Sequence, residues 1–412
     1  MNAETLLFMQ LLCKALKTKS SVDTPVLTDE AWKEIFKLAL MHNLAPTMYA
    51  AVKDIPTETE MQQLLKSQWK TQAQLQCVRQ SIVYETLKDV LQAFKEKNIN
   101  VAVLKGPSLA QYYPEAIARV SGDIDLYLLN IADADAAHKL MINVPNTICD
   151  SKEVDTASYT INELTHIELH FTAFVEEKGK FFELFSKSGV FEPNSMRKEN
   201  ILDIEMTVPD PTDMLIYLVC HMAQHFVGSG FGIRHIVDFW LFFKNNLDKI
   251  ELKTVERILN SMHLLEFYRT CLVIAIKQFD FTEFDVDFNV ERYNSRAEEL
   301  LDDILSAGVF GYADNERTQS GAIVQNAFEG GNEKSASMLR KLFPKYKTMA
   351  KHFPYCKKYP ILLPVAYVDR FIKYRKNSGQ NISEMAKTAS KVADISEQRI
   401  NLLKKLDMLN DK

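Results

Sequence analysis

The chain is poor in the residues that break or staple a fold: 412 residues contain only 13 Gly, 13 Pro and 6 Cys. With 47% apolar residues, those counts exclude collagen-like, disordered and disulfide-scaffold classes. Cys13, Cys77, Cys149, Cys220, Cys271 and Cys356 are scattered, with neither a C-x-x-C pair nor metal-ligand spacing, so free thiols are expected. There is no excess of positive charge either. The 49 Lys+Arg against 54 Asp+Glu leave a net charge of -5, which argues against nucleic acid as a partner in the absence of a local basic patch. No apolar run approaches the ~18 residues that cross a bilayer. The first residues, MNAETLLFMQLLCKAL, lack the basic segment and small-residue cleavage site of a signal peptide. A cytoplasmic protein without a membrane partner is expected.

What is present is hydrophobic periodicity. Leu6, Leu7, Met9, Leu11, Leu12 and Leu16 sit near helical spacing, Thr28 is placed to cap a helix through Trp32, Ile35 and Leu38, and residues 57–97 contain no Gly and no Pro. At Asn98 the period shortens. Ile99, Val101, Val103 and Leu104 read as a strand ending at Gly106-Pro107, and a second apolar run over 123–129 follows Gly122. A helix near 132–142, strands over 158–163 and 165–171, and an alternating run over 201–208 complete the mixed segment. Helical period then returns over 213–227, 233–243, 264–276, 297–305, 335–341, 362–373 and 382–409, while the glycines of 312–334 suggest a loop. The fold class expected is α+β. A helical N-terminal unit (1–97) and a larger all-helical C-terminal domain (211–412) flank a small mixed-sheet α/β domain (98–210).

Chemistry concentrates around Asp123 and Asp125. In a strand both project from one face while Ile124 and Leu126 enter the core, so two carboxylates converge. Such a pair repels unless a cation lies between its members, and oxygen ligands suit Mg2+ or Mn2+ better than zinc. Upstream, Gly106 lets the backbone approach a phosphate, and Ser108 can donate to one or cap the helix that follows. Pro107 at a first helical position costs no hydrogen bond. Lys105 and Arg119 are cations suited to phosphate oxygens, with the planar Arg119 fork the better match.

A strand, a Gly-x-Ser turn, a short helix and a strand bearing Asp-x-Asp resemble the DNA polymerase β-like nucleotidyltransferase superfamily. The chain is most similar to a narrower branch, the uncharacterised nucleotidyltransferases. Leu104-Lys105-Gly106, Tyr113-Pro114, Arg119 and Asp123-Ile124-Asp125-Leu126 carry that resemblance. His225, Arg234 and Asp238 resemble its downstream helical block, and Leu342 to Pro344, Tyr359-Pro360 and Leu363-Pro364 through Arg370 its C-terminal one.

The resemblance implies transfer of a nucleotidyl group from a nucleoside triphosphate to an acceptor hydroxyl of a small molecule or protein, with release of pyrophosphate. It implies two metal ions held by Asp123, Asp125 and a third carboxylate. Glu168 is the candidate, and Glu163 or Glu153 would replace it if the strand alignment slips. Lys105, Gly106, Ser108, Arg119, His225, Arg234 and Asp238 are the implied nucleotide-binding residues.

Plainer readings stand beside these. Lys105 can simply reach solvent, Arg234 and Asp238 four apart can be a helical ion pair, and Arg370, Lys373, Arg375 and Lys376 a solvated basic face. His166 and His170 flanking Glu168 offer a zinc alternative. His221-Met-Ala-Gln-His225 has zincin spacing but lacks the Glu that would act as base. A nucleotide-binding module retaining a relic site is the alternative function.

Overall fold

The computed structural model describes residues 2–18, 27–173, 180–192, 195–279, 286–308, 315–329, 382–409 and isolated positions between 349 and 369. Four helices come first: α1 (Ala3–Ala15), α2 (Asp29–Met41), α3 (Ala45–Val52) and the long α4 (Glu60–Glu96). Thr28 caps α2 as its sequence position predicts, accepting from the Ala31 amide. The 37 residues of α4 serve two cores. Its first half seats Trp69 among α2 and α3, where the indole N–H donates to the Ala45 carbonyl at 2.8 Å and the ring stacks on Phe36. Its second half buries Val83, Leu87, Val90 and Phe94 under the sheet.

The mixed segment runs β1 (Val101–Val103), α5 (Pro107–Ala110), β2 (Ile124–Leu128), α6 (Ala134–Ile142), β3 (Thr147–Lys152), β4 (Thr156–Ile161) and β5 (Thr165–His170). Its sheet has the order β1-β2-β5-β4-β3, with β2 parallel to β5 and the other neighbours antiparallel. Ile124, Leu126, Leu128, Ile167, Leu169 and Tyr159 pack in one cluster with α4 and with Ala137 and Met141 of α6. The two-residue period therefore leaves Asp125, Glu168 and His170 for the other face.

Several elements differ from expectation. β3 is an unexpected edge strand, and only Thr147 in it is even partly buried, so its sequence carries no apolar alternation to read. The run over 201–208 is a hairpin rather than one strand: β6 (Met196–Ile201) and β7 (Ile204–Pro209) turn through Leu202 and Asp203. Both turn residues take left-handed φ, at 54° and 60°, without the Asn or Gly that signals such a turn. A short helix, α7 (Lys180–Ser186), precedes the hairpin.

The helical remainder comprises α8 (Pro211–Val227), α9 (Ile233–Asn246), α10 (Leu252–Ser261), α11 (Leu265–Phe279), α12 (Asn294–Ala307), α13 (Asn315–Phe328) and α14 (Ile382–Lys405). α10 was not expected, and α13 replaces much of the expected loop over 312–334. Its Gly321 is not a breaker: a Cβ there would lie 2.6 Å from the Gly228 carbonyl oxygen, so glycine permits close packing on the end of α8. One apolar cluster unites Phe8 and Trp32 of the first helices with Phe226, Phe239 and Phe267 of the later ones. The expected helix over 335–341 and half of that over 362–373 lie outside the described residues, as do Leu342 to Pro344, Pro360, Arg370, Lys373, Arg375 and Lys376. Among the described residues, no helix is long and apolar enough to cross a membrane.

Candidate active site

The strand β1 delivers its end directly to the face of β2, where the Leu104 amide donates to the Asp125 carbonyl at 3.0 Å. The chain then reverses at Gly106, with φ of 74° and ψ of -110°. A Cβ at this position would stand 3.3 Å from the Asp123 carbonyl oxygen and from Ser121 Oγ, so both conformation and space call for glycine. That reversal lays Lys105 across the carboxylates.

Asp125 is buried in mid-sheet, with Oδ1 accepting from His170 Nε2 at 3.0 Å and Oδ2 3.3 Å from Lys105 Nζ. Asp125 Oδ2 makes no well-formed hydrogen bond, so charge alone compensates it. The parallel register pairs Asp125 with Glu168, whose Oε2 lies 3.5 Å from His170 Nε2. Asp123 stands one residue before β2, partly exposed. Glu163 sits in the turn between β4 and β5 and Glu153 just beyond β3, so Glu168 is the carboxylate that the register sets beside Asp125.

The charges in this group support one another. The His170 hydrogen bond holds Glu168 below the usual carboxylate range. Burial pulls His170 down, but Asp125 and Glu168 outweigh it and lift the imidazole to about 9. For Lys105, burial is again outweighed, by Asp125 first and then by Asp123 and Glu168, and the ammonium is stabilised.

Arg119 and Asp238 form a buried bidentate pair: Arg119 Nε and Nη2 donate to Asp238 Oδ1 and Oδ2 at 3.0 and 2.8 Å. Tyr113 donates its hydroxyl to the same Oδ1 at 2.7 Å, and Arg119 Nη1 donates to Ser121 Oγ at 2.9 Å. The loop between α5 and β2 is thereby fastened to α9. Thr47 of α3 donates to the Ala118 carbonyl and the Ser121 amide donates to Gln80 of α4, so the first helices hold this loop as well. Arg234, one turn before Asp238, donates through Nη1 to the Val120 carbonyl and keeps its Nε without a hydrogen-bond partner. Ser108 is buried with its hydroxyl 3.5 Å from the Leu104 carbonyl.

Three histidines form the opposite wall. Lys105 Nζ donates to His221 Nε2 at 2.7 Å, and His221 Nε2 lies 3.1 Å from His225 Nε2 one turn along α8. His235, in the first turn of α9, brings its ring centroid within 5.9 Å of His221 and 5.6 Å of His225. Burial first, then Lys105, pushes His221 well below the ordinary histidine range, while burial and Arg234 do the same to His235. Lys105, Gly106, Asp123, Arg234, Asp238, His221 and His235 line a cavity of about 30 Å³. That is room for a water molecule, so a nucleotide requires these side chains to part.

Period-two spacing put His170 on the face of Glu168, and the structure makes it a partner of both Asp125 and Glu168. Sequence reasoning set His221 aside and overlooked His235, whose contacts depend on how α8 and α9 cross. Asp125, Glu168 and His170 bring ligand atoms close enough for one ion, with Asp123 one residue before β2 outside that group, and Asp125 Oδ2, matched only by the Lys105 charge, is an oxygen such an ion would satisfy.

The family model described as uncharacterised nucleotidyltransferase matches residues 28–280, which include every residue of this site. No curated protein and no solved structure matches the chain.

Proposed function

Because the chain belongs to the uncharacterised nucleotidyltransferase family, we propose that it moves a nucleoside monophosphate from a triphosphate to an acceptor hydroxyl, using Mg2+ or Mn2+ held by Asp123, Asp125 and Glu168. The observation that carries this reading is the parallel pairing of β2 and β5, which sets Glu168 beside Asp125 on the sheet face opposite the apolar packing against α4 and α6. Two ions suit three carboxylates in this family, and when bound they would neutralise phosphate charge and lower the pKa of the acceptor hydroxyl.

The chain's own residues have separable tasks. Lys105, now neutralising the carboxylates, is the cation that meets triphosphate oxygens once metal takes over that compensation. Gly106 lets backbone come close to phosphate, and Ser108 supports that turn from beneath. Arg234, with an uncommitted Nε, supplies a second cation facing the cavity. Arg119 acts through its pair with Asp238, positioning the loop that carries Asp123. His170 orients Asp125 and Glu168 through its hydrogen bonds to both.

The test is the Asp123→Asn, Asp125→Asn double variant, assayed with each labelled triphosphate and Mg2+ and titrated calorimetrically with the same triphosphates. Transfer should fall at least about 100-fold, near 3 kcal/mol of barrier, with the circular dichroism spectrum unchanged. Undiminished transfer in the double variant would overturn the mechanism. Metal-dependent triphosphate binding by the unaltered protein without transfer to any small molecule or protein acceptor would favour the relic-site reading.

A further inference from the structure

The three histidines opposite the carboxylates have no task in that mechanism, and their geometry is that of a ligand set. We propose that His221, His225 and His235 form a second metal site, for a borderline transition-metal dication of the zinc class, distinct from the carboxylate site across Lys105.

Three features support this assignment. One nitrogen from each ring lies within 4.8 Å of the others. A tetrahedral ion with bonds of 2.0–2.1 Å holds its nitrogen ligands about 3.3 Å apart, and the His221 and His225 Nε2 atoms are already 3.1 Å apart. Adjacent turns of one helix supply two ligands, and the start of a crossing helix supplies the third. Second, His235 Nδ1 lies 3.3 Å from the Gly232 carbonyl, which can accept only from a protonated Nδ1. That hydrogen bond leaves Nε2 bare and orients the ring, an arrangement metal-binding histidines ordinarily have. Third, the donors are all imidazole, which favours zinc, copper, iron or nickel over Mg2+. The two walls thus differ in the metal chemistry they favour.

Lys105 sits between them. Its ammonium occupies the approach to His221 Nε2 at 2.7 Å while pairing with Asp125 at 3.3 Å. Metal entry to the histidines requires the lysine to withdraw toward the carboxylates. The fourth coordination position would then open toward the cavity, where water or a phosphate oxygen could enter.

The experiment is titration of the metal-free full chain with Co2+, followed by visible absorption and by competition with Zn2+. A single high-affinity Co2+ per chain is expected, with d–d bands of a nitrogen-rich, low-coordinate site that Zn2+ abolishes. His235→Ala should weaken Co2+ by more than the roughly 10–100-fold that loss of an outer partner costs, and the half-buried His225→Gln by a comparable factor if His235→Ala misfolds. Asp125→Asn should leave the bands in place, and Lys105→Met, which removes the competing ammonium, should tighten binding. Bands that survive both histidine substitutions and vanish in Asp125→Asn would overturn the assignment, placing the ion among the carboxylates. Absence of Co2+ bands in the unaltered chain would overturn it equally, leaving the rings as a hydrogen-bonded chain from Lys105. Because Asp123→Asn with Asp125→Asn tests transfer without altering His221, His225 or His235, failure of this proposal is distinguishable from failure of the transferase reading on which its placement opposite the carboxylates rests.

Discussion

The two walls on either side of Lys105 solve the problem of buried polarity in opposite ways. On the sheet wall Glu168, His170 and Lys105 are held in their charged forms by one another and by Asp125 between them. On the helical wall burial holds His221 and His235 neutral, and Lys105 reinforces that by repelling a second positive charge. One lysine therefore touches both regimes. The contrast teaches that proximity alone does not assign a histidine its role. His170 and His221 both contact Lys105 or its partner, yet carboxylate neighbours protonate the first and their absence keeps the second bare.

Separating the walls is the severest way to break this comparison. Arg119→Met leaves Asp238 buried with only the Tyr113 hydroxyl, and loss of one partner of such a pair costs about 3–5 kcal/mol. Denaturant unfolding should show that loss. Because the pair fastens the Asp123 loop to the helix carrying His235, triphosphate and Co2+ binding should both weaken. A variant as stable as the parent would mean that the walls are held together by other contacts.

His42 sharpens the comparison from outside it. It is fully buried between Phe8 and the Leu305 carbonyl, with no carboxylate partner, and burial brings it down to about 4. Its neutral form is favoured by folding, so that contribution is complete above pH 6.5 and is lost as pH falls toward 4. Urea unfolding across this window should show the parent losing about 3 kcal/mol more than His42→Gln. Equal slopes would show that burial alone does not keep an imidazole neutral in this protein.

Gly106→Ala is the mildest change. A side chain at this φ costs about 1–3 kcal/mol and presses on the Asp123 carbonyl, so transfer should slow while Co2+ affinity at the histidines stays unchanged. A matching loss of Co2+ affinity would show the walls to be one unit.

Much of the sheet wall was legible beforehand because strand period and a glycine turn are local signals. Asp123 and Asp125 declare themselves by alternation, and His166, Glu168 and His170 by the same rule on the neighbouring strand β5. The third carboxylate needed only the pairing of β2 with β5, which parallel strands joined through a long excursion leave unstated. The helical wall was less legible. His221 and His225 share a helix face, but His235 reaches them through a crossing that depends on packing between helices. The β6–β7 turn at Leu202-Asp203 was misread because neither residue signals left-handed backbone, and the helix through Gly321 because that glycine serves close packing on the Gly228 carbonyl rather than a turn.

The long helix α4 has a further consequence. Its 37 residues form a rod about 55 Å in length, with Trp69 clamped in the helical core and Phe94 beneath the sheet. A beam embedded at both ends gives neither half an independent melting transition: unravelling it from the sheet removes a wall of the helical core in the same event. The protein's thermal cooperativity is thus built into one uninterrupted stretch of sequence, free of Gly and Pro, that lies on the sheet face away from Asp125 and Glu168.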